Sequence, residues 1–261
     1  MVYKMKKKEL EFIGVIDMGY EGMSLLESIY NSFPHENIIY VNDPKRSPYE
    51  GRNSEDILEL VSASYDKIKN YKLKMIVVLS DTICEHALDY LESLELPVIN
   101  VVDILTRTVN KQFNNKNILY VARNSFLETN IIQKNIKYSH LYTCEGENLI
   151  KHAEEKNVKT GESFSMIQSL VKPFASKNIE VVISTSPLIT MYHTEFKEYL
   201  KDCDVLMFNH LINEEINKKL KAKASEKDKG EIYIVSPSID KDYLKEYKNK
   251  CNRFIRKYKL I

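Results

Sequence analysis

The chain alternates short apolar runs with longer stretches in which apolar residues recur every three or four positions. The runs are FIGVID (12–17), NIIYV (37–41), KMIVVLS (74–80), PVINVV (97–102), NILYVA (117–122), EVVIST (180–185), CDVLMF (203–208) and EIYIVS (231–236). Each has the length of a strand buried on both faces, and most precede a helix-like stretch, so the pattern predicts an α/β protein with mainly parallel sheets. SLLESIYNSF, NSEDILELVSASYDKIKNY, ICEHALDYLESL and DYLKEYKNKCNRFIRKY carry the spacing of amphipathic helices, with their tyrosines and phenylalanines on core faces. The charged stretch INEEINKKLKAKASEKDKGE predicts a solvated helix and a turn, with Gly230 ending it before the last strand.

In open α/β sheets, ligands gather beyond the carboxyl ends of the strands. The positions to inspect are therefore Asp17-Met18-Gly19, residues 43–51, Ser80-Asp81-Thr82, Arg123-Asn124-Ser125, Ser184-Thr185-Ser186 and Ser236.

Composition narrows the classes. A length of 261 residues suits two modest domains, and 43% hydrophobic with 29% charged residues describes an ordinary globular chain. Lys and Arg total 38 against 37 Asp and Glu, so no net charge attracts nucleic acid or an anionic membrane. The apolar run after the basic N-terminal cluster is too short for a signal-peptide core or a membrane span, so a cytoplasmic protein is expected. Cys84, Cys144, Cys203 and Cys251 are widely spaced, without a C-x-x-C pair or a Cys/His cluster. Reduced thiols and no structural metal are expected. With seven glycines and neither G-x-G-x-x-G nor G-K-[ST], the chain offers no nucleotide-phosphate cradle.

Taken in order, the strand exits resemble those of the glutamate racemases, cofactor-independent enzymes that supply D-glutamate for cell-wall synthesis. IGVIDMGYEGMSLLESI resembles the family's opening I-G-V-F-D-S-G-x-G-G-L-x-V, and ENIIYVNDPKRSPYEGRNSEDI resembles E-N-I-x-Y-x-G-D-x-x-x-x-P-Y-G. LPVINVVD resembles I-P-V-I-G-V-I, MIVVLSDTICEHAL stands where the family has I-V-I-A-C-N-T-A-S-A, and EVVISTSPLI where it has L-I-L-G-C-T-H-Y-P-L. The resemblance implies two similar α/β domains facing across a cleft, with residues 1–102 and 210–261 in the first and 103–209 in the second. It also implies a tendency to form homodimers, no cofactor, and a small carboxylate or amino acid as ligand.

Racemising an α-carbon without a cofactor requires one group to remove a proton from one face and another to deliver one to the opposite face. Two thiols suit this, because a thiolate is reachable near neutral pH. At the family's two cysteine positions this chain has Ser80 and Ser184, whose hydroxyls are weak nucleophiles and bases unless a neighbour activates them. Asp17 keeps the family's first acid-base aid, beside Met18 in place of a serine. The resemblance puts Pro48, Tyr49, Asp81, Thr82, Thr185 and Ser186 at substrate-binding positions. Of these, Asp81 replaces an asparagine and Ser186 a histidine. Arg123 and Phe126 fall on two threonines, and Lys151 falls on a glutamate.

A negative charge at Asp81 would repel a substrate carboxylate, so Asp81 is expected to engage Arg123, Lys151 or a backbone donor instead. A serine-hydrolase reading of Ser80 or Ser184 requires a histidine, with His86 and His193 as candidates, but neither serine has a G-x-S-x-G elbow. Cys84, about one helical turn past Ser80, is expected to be a small buried hydrophobe. The expectation is a racemase-like protein without proton-transfer chemistry, having a structural, partner-binding or ligand-sensing role. The competing reading is an active racemase or isomerase with a non-thiol mechanism, using Asp17, Asp81 or Lys151 as bases.

Overall fold

The computed structural model describes residues 10–19, 21–47, 49, 51–155, 157–220, 229–236, 242, 245 and 258–260. The chain divides into two compact units, Met1–Asn100 with Asn209–Ile261, and Val101–Phe208. The first unit opens with β1 (Glu11–Ile16), α1 (Met23–Ser32), β2 (Asn37–Val41), α2 (Ser54–Asp66), β3 (Lys72–Val78), α3 (Asp81–Glu92) and β4 (Val98–Asn100). The second contains α4 (Val101–Gln112), β5 (Asn117–Ala122), α5 (Asn124–Thr129), α6 (Ile131–Asn135), β6 (His140–Glu145), α7 (Glu147–Glu154), α8 (Gly161–Val171), β7 (Val181–Ile183), α9 (His193–Tyr199) and β8 (Asp204–Val205). Next come α10 (Phe208–Leu220), β9 (Ile232–Val235) and β10 (Tyr258–Leu260).

Each unit is built on a parallel sheet. Strand order is β10-β9-β2-β1-β3-β4 in the first and β6-β5-β7-β8 in the second. All five residues of β2 are buried, as are the last five of β1 and of β5. A parallel strand covered on both faces needs apolar side chains at successive positions, which explains why runs rather than alternation mark these strands. The second unit's core joins Leu119 and Val121 of β5 to Leu149, Ile167, Tyr192 and Phe196 from the segments around it.

Elsewhere tertiary context departs from the sequence pattern. Of the expected strand at 97–102, only Val98–Asn100 pairs with β3, and Val101 and Val102 are buried as the first residues of α4. That break also coincides with the junction between units. β6 has no apolar run to reveal it, because it pairs only with β5 at the sheet's edge and is at best half-buried. Gly230 does not terminate a helix by a left-handed turn. Its amide donates to the Pro34 carbonyl at 2.7 Å, and a Cβ there would collide with the Glu36 backbone, so close approach demands glycine. The charged segment's helix is described as far as Leu220, and residues 221–228 lie outside the described set, as does most of the helix expected over 242–258. Among the described residues no helix is long and apolar enough to cross a membrane.

Among the described residues of the first unit one ion pair is buried. Lys74 Nζ on β3 lies 2.7 Å from Glu36 Oε2, with side chains 3% and 4% exposed, and Glu11 Oε2 is 3.9 Å from the same ammonium. Removing one partner takes the closest countercharge from a buried ion, at a cost of about 3–5 kcal/mol, whereas an apolar pair of similar volume is tolerated. Glu36→Ala is therefore expected to lower the unfolding free energy in urea titration by about 3 kcal/mol, and Glu36→Leu with Lys74→Met by much less. A loss below about 1 kcal/mol for Glu36→Ala would show that Glu11 or water answers the Lys74 charge in its place.

Candidate functional site

At the end of β1 the Asp17 carboxylate receives at least three donors. Tyr40 Oη donates to Oδ2 at 2.7 Å, the Gly22 amide donates to Oδ2 at 2.9 Å, and the Met18 amide donates to Oδ1 at 2.9 Å. Gly22 is the N-cap of α1, so the carboxylate lies where the helix dipole favours negative charge. A Cβ at Gly22 would come within 2.8 Å of both Asp17 Oδ2 and Leu79 Cδ1, so only glycine allows the contact. Asn42 Nδ2 holds the Gly19 carbonyl at 2.9 Å. Sequence reasoning did not single out Tyr40 or Asn42; the available signal was a polar-tipped residue within and just after an otherwise aliphatic strand.

The next exit, after β2, carries the buried Asp43, whose Oδ2 accepts from Arg46 Nε and, at 3.3 Å, from Tyr49 Oη. Burial, then the Asp43 carboxylate, pushes the Tyr49 phenol well above its ordinary range. Tyr49 is thus a neutral donor to Asp43. Pro48 and Glu50 lie outside the described residues.

At the end of β3, Ser80 is the N-cap of α3 and only 5% exposed. Its Oγ accepts from the Ile83 amide at 3.3 Å and donates to Met18 Sδ at 3.9 Å. A thioether is a weak acceptor and no base, so among the described residues nothing prepares this hydroxyl to move a proton. Asp81 follows as the first helical residue, and its Oδ1 accepts from the Thr82 amide at 2.8 Å with Thr82 Oγ1 at 3.5 Å. A backbone donor is therefore one partner of Asp81. Its charge, after burial, helps to raise the Glu85 carboxyl above the usual range, against the opposing effect of His86. His86 instead meets Ser54 Oγ at 3.0 Å and Glu85 at 3.4 Å.

In the second unit, Ser184, Thr185 and Ser186 follow β7 and are each about 1% exposed. Ser184 Oγ accepts from the Ser186 amide at 3.0 Å, closing a tight turn, and Thr185 Oγ1 lies 3.5 Å from Tyr120 Oη. His193 contacts Thr194 Oγ1 at 3.3 Å through Nε2. At the β5 exit Arg123 is buried with Nε 3.6 Å from Glu147 Oε2, and Phe126 is also buried. Lys151 is exposed and lies 3.5 Å from Glu147.

Neither Cys144 nor Cys203 has a lowered pKa. Cys84 is buried on α3 with its amide bonded to the Ser80 carbonyl. Burial, then Glu145, pushes the Cys144 thiol up, and burial pushes Cys203 up to about 12. Cys251 lies outside the described residues, and among those described no group of His, Cys, Asp and Glu is placed to hold a metal ion.

If Ser80 serves as a cap, Ser80→Ala should destabilise the protein by about 1 kcal/mol through loss of the bond to Ile83 N. Chemical denaturation would measure this, and an unchanged midpoint would remove the capping role.

No family model matches the chain. Among curated proteins it is 31% identical over 126 residues to the glutamate racemase of Staphylococcus epidermidis, covering 48% of this chain and 47% of that one. The chain thus spans about half the length of the curated relatives it matches. Solved structures extend the likeness in shape. The glutamate racemase of Thermus thermophilus in complex with β-chloro-D-alanine superposes with a TM-score of 0.82 at 19% identity, over 98% of each chain. A glutamate racemase isoform of Bacillus anthracis superposes at 0.79 with 20% identity, over 96% of each. Two α/β units on parallel sheets, in the arrangement of strands and helices that glutamate racemases have, are the fold of this glutamate-racemase-like chain.

Proposed function

We propose that this chain is a glutamate-racemase relative that has kept the fold but not the proton-transfer chemistry, and that serves a ligand-sensing or partner-binding role. The observation that carries the reading is the state of Ser80. At the position where the resemblance puts a reactive thiol, the hydroxyl caps α3 and donates a long hydrogen bond to a methionine sulfur. Ser184, at the second such position, accepts a backbone amide to close a turn. Two-face proton transfer needs a competent base on each side, and a hydroxyl without an adjacent base fills that role on neither.

The surroundings support the same reading. Asp17 is held by a phenol and two amides, which fix the carboxylate in place as an acceptor. Asp81 brings negative charge where the resemblance has a neutral amide. That favours a ligand group with donors over a second carboxylate. The Thermus thermophilus structure holds β-chloro-D-alanine, and by likeness the ligand here is a small amino acid, whose ammonium supplies such donors.

Incubating the protein with L- or D-glutamate in deuterated water and following the α-proton by NMR should give no exchange above the protein-free rate. Exchange at an enzyme-like rate would overturn the proposal and favour an active isomerase that uses a carboxylate base.

The double variant Ser80→Cys with Ser184→Cys is likewise expected to remain inactive in a coupled assay of D-glutamate. Met18, Asp81 and Ser186 would still leave the new thiols unassisted. Efficient turnover would show that the two hydroxyls alone account for the loss.

A further inference from the structure

β6 is the outer strand of the second unit's sheet, and among the described residues it pairs with β5 alone. The other sheet edges, β4, β8 and β10, are described over three, two and three residues, whereas β6 runs for six. Short edges offer little to a further strand, and β6 is the exception. The Gly146 amide donates to the Ala122 carbonyl at 2.8 Å on the β6 side of β5, and the Glu180 amide donates to the Asn117 carbonyl at 2.9 Å on the β7 side. Even-numbered residues of β6 therefore turn their N–H and C=O toward β5, and Leu141, Thr143 and Glu145 turn theirs outward. The strand HLYTCE has no proline, no lysine and no shift in its register with β5, so the usual devices that close an edge are missing from it.

The side chains along this edge are as incompletely covered as its backbone. Tyr142 and Cys144 join Met166, Leu170 and Phe174 as a partly buried fringe of the core, while His140, Thr143 and Glu145 are exposed. Charge is divided along the strand. Lys137 precedes it and the Lys177 ammonium lies 5.9 Å over the Tyr142 ring, whereas Glu145 ends it and lines one groove with Glu162, all four being exposed. An antiparallel copy of the same strand brings the cationic start of one chain against the acidic end of the other, twice by symmetry. A parallel copy would set like charges together.

We propose that β6 pairs antiparallel with β6 of a second copy of this chain, about a two-fold axis at Thr143, joining the two four-stranded sheets into one. Outward-facing residues can meet only outward-facing residues. Thr143 therefore faces its own copy and Leu141 faces Glu145 of the second chain, each such pair exchanging two N–H···O bonds. Tyr142 then stands opposite Cys144 in the closer, non-hydrogen-bonded pairs, and the two apolar fringes meet across the axis. No like charges oppose each other within the strand in this register. The pairing draws nothing from the function assigned to the strand exits, so the two proposals stand or fall separately.

Sedimentation equilibrium of the full chain is expected to show a dimer that dissociates on dilution. Thr143→Lys, at an exposed position, sets two ammonium groups against each other at the axis and should weaken the dimer about tenfold or more, with the far-UV circular dichroism unchanged. In the wild type, hydrogen exchange supplies a readout that needs no variant: the Leu141, Thr143 and Glu145 amides should exchange about tenfold more slowly in the dimer than after dilution to monomer. A wild-type chain that stays monomeric up to about 100 μM would overturn the proposal. So would a dimer that a folded Thr143→Lys chain forms equally well, or one that leaves those three amides unprotected, because either would use another surface.

Discussion

The hydrogen bond from Tyr40 to Asp17 is the contact on which the first unit's strand exits depend. It joins the exit of β1 to the interior of β2, and the same carboxylate takes the Gly22 amide that begins α1. A buried carboxylate is tolerated only when its charge is answered by donors, and here a phenol and two amides converge on it. The geometry then propagates. Gly22 must lack a side chain, Met18 is held beneath Ser80, and the Gly19 carbonyl is fixed by Asn42.

Polar groups at both sets of exits are absorbed into this kind of local structure. Ser80 caps a helix, Ser184 closes a turn, Asp81 takes the next amide along, and Tyr49 donates to Asp43. Reactive sites usually set titratable groups against one another so that their pKa values move apart. Here the resolved shifts at Tyr49 and Cys144 come first from burial, and each keeps its group in the neutral form.

Glu195, wholly buried in the second unit, receives the Lys159 amide and Ser163 Oγ on Oε1, while its Oε2 has no hydrogen-bond partner among the described residues. Glu195 pins the start of α8 beside the Thr160–Ser163 capping box, which fixes where Glu162 stands.

The sequence by itself determined the sheet class and most strands, because a parallel strand buried on both faces must be written as an apolar run; β2 and β5 coincide with NIIYV and NILYVA. It also brought out Asp17, Ser80 and Ser184, since residues just past such runs fall at strand exits. It could not reveal β6, whose half-exposed edge carries no such signal, nor the end of β4, where the apolar Val101 and Val102 serve equally well in a helix. Only the tertiary structure decided what the polar side chains do. Whether a serine is a nucleophile or a cap depends on the atoms around its oxygen, and Met18 reaches Ser80 from 62 positions away in the chain. Tyr40 is in the same position: its letter marks a core aromatic, and only the fold brings its hydroxyl to Asp17.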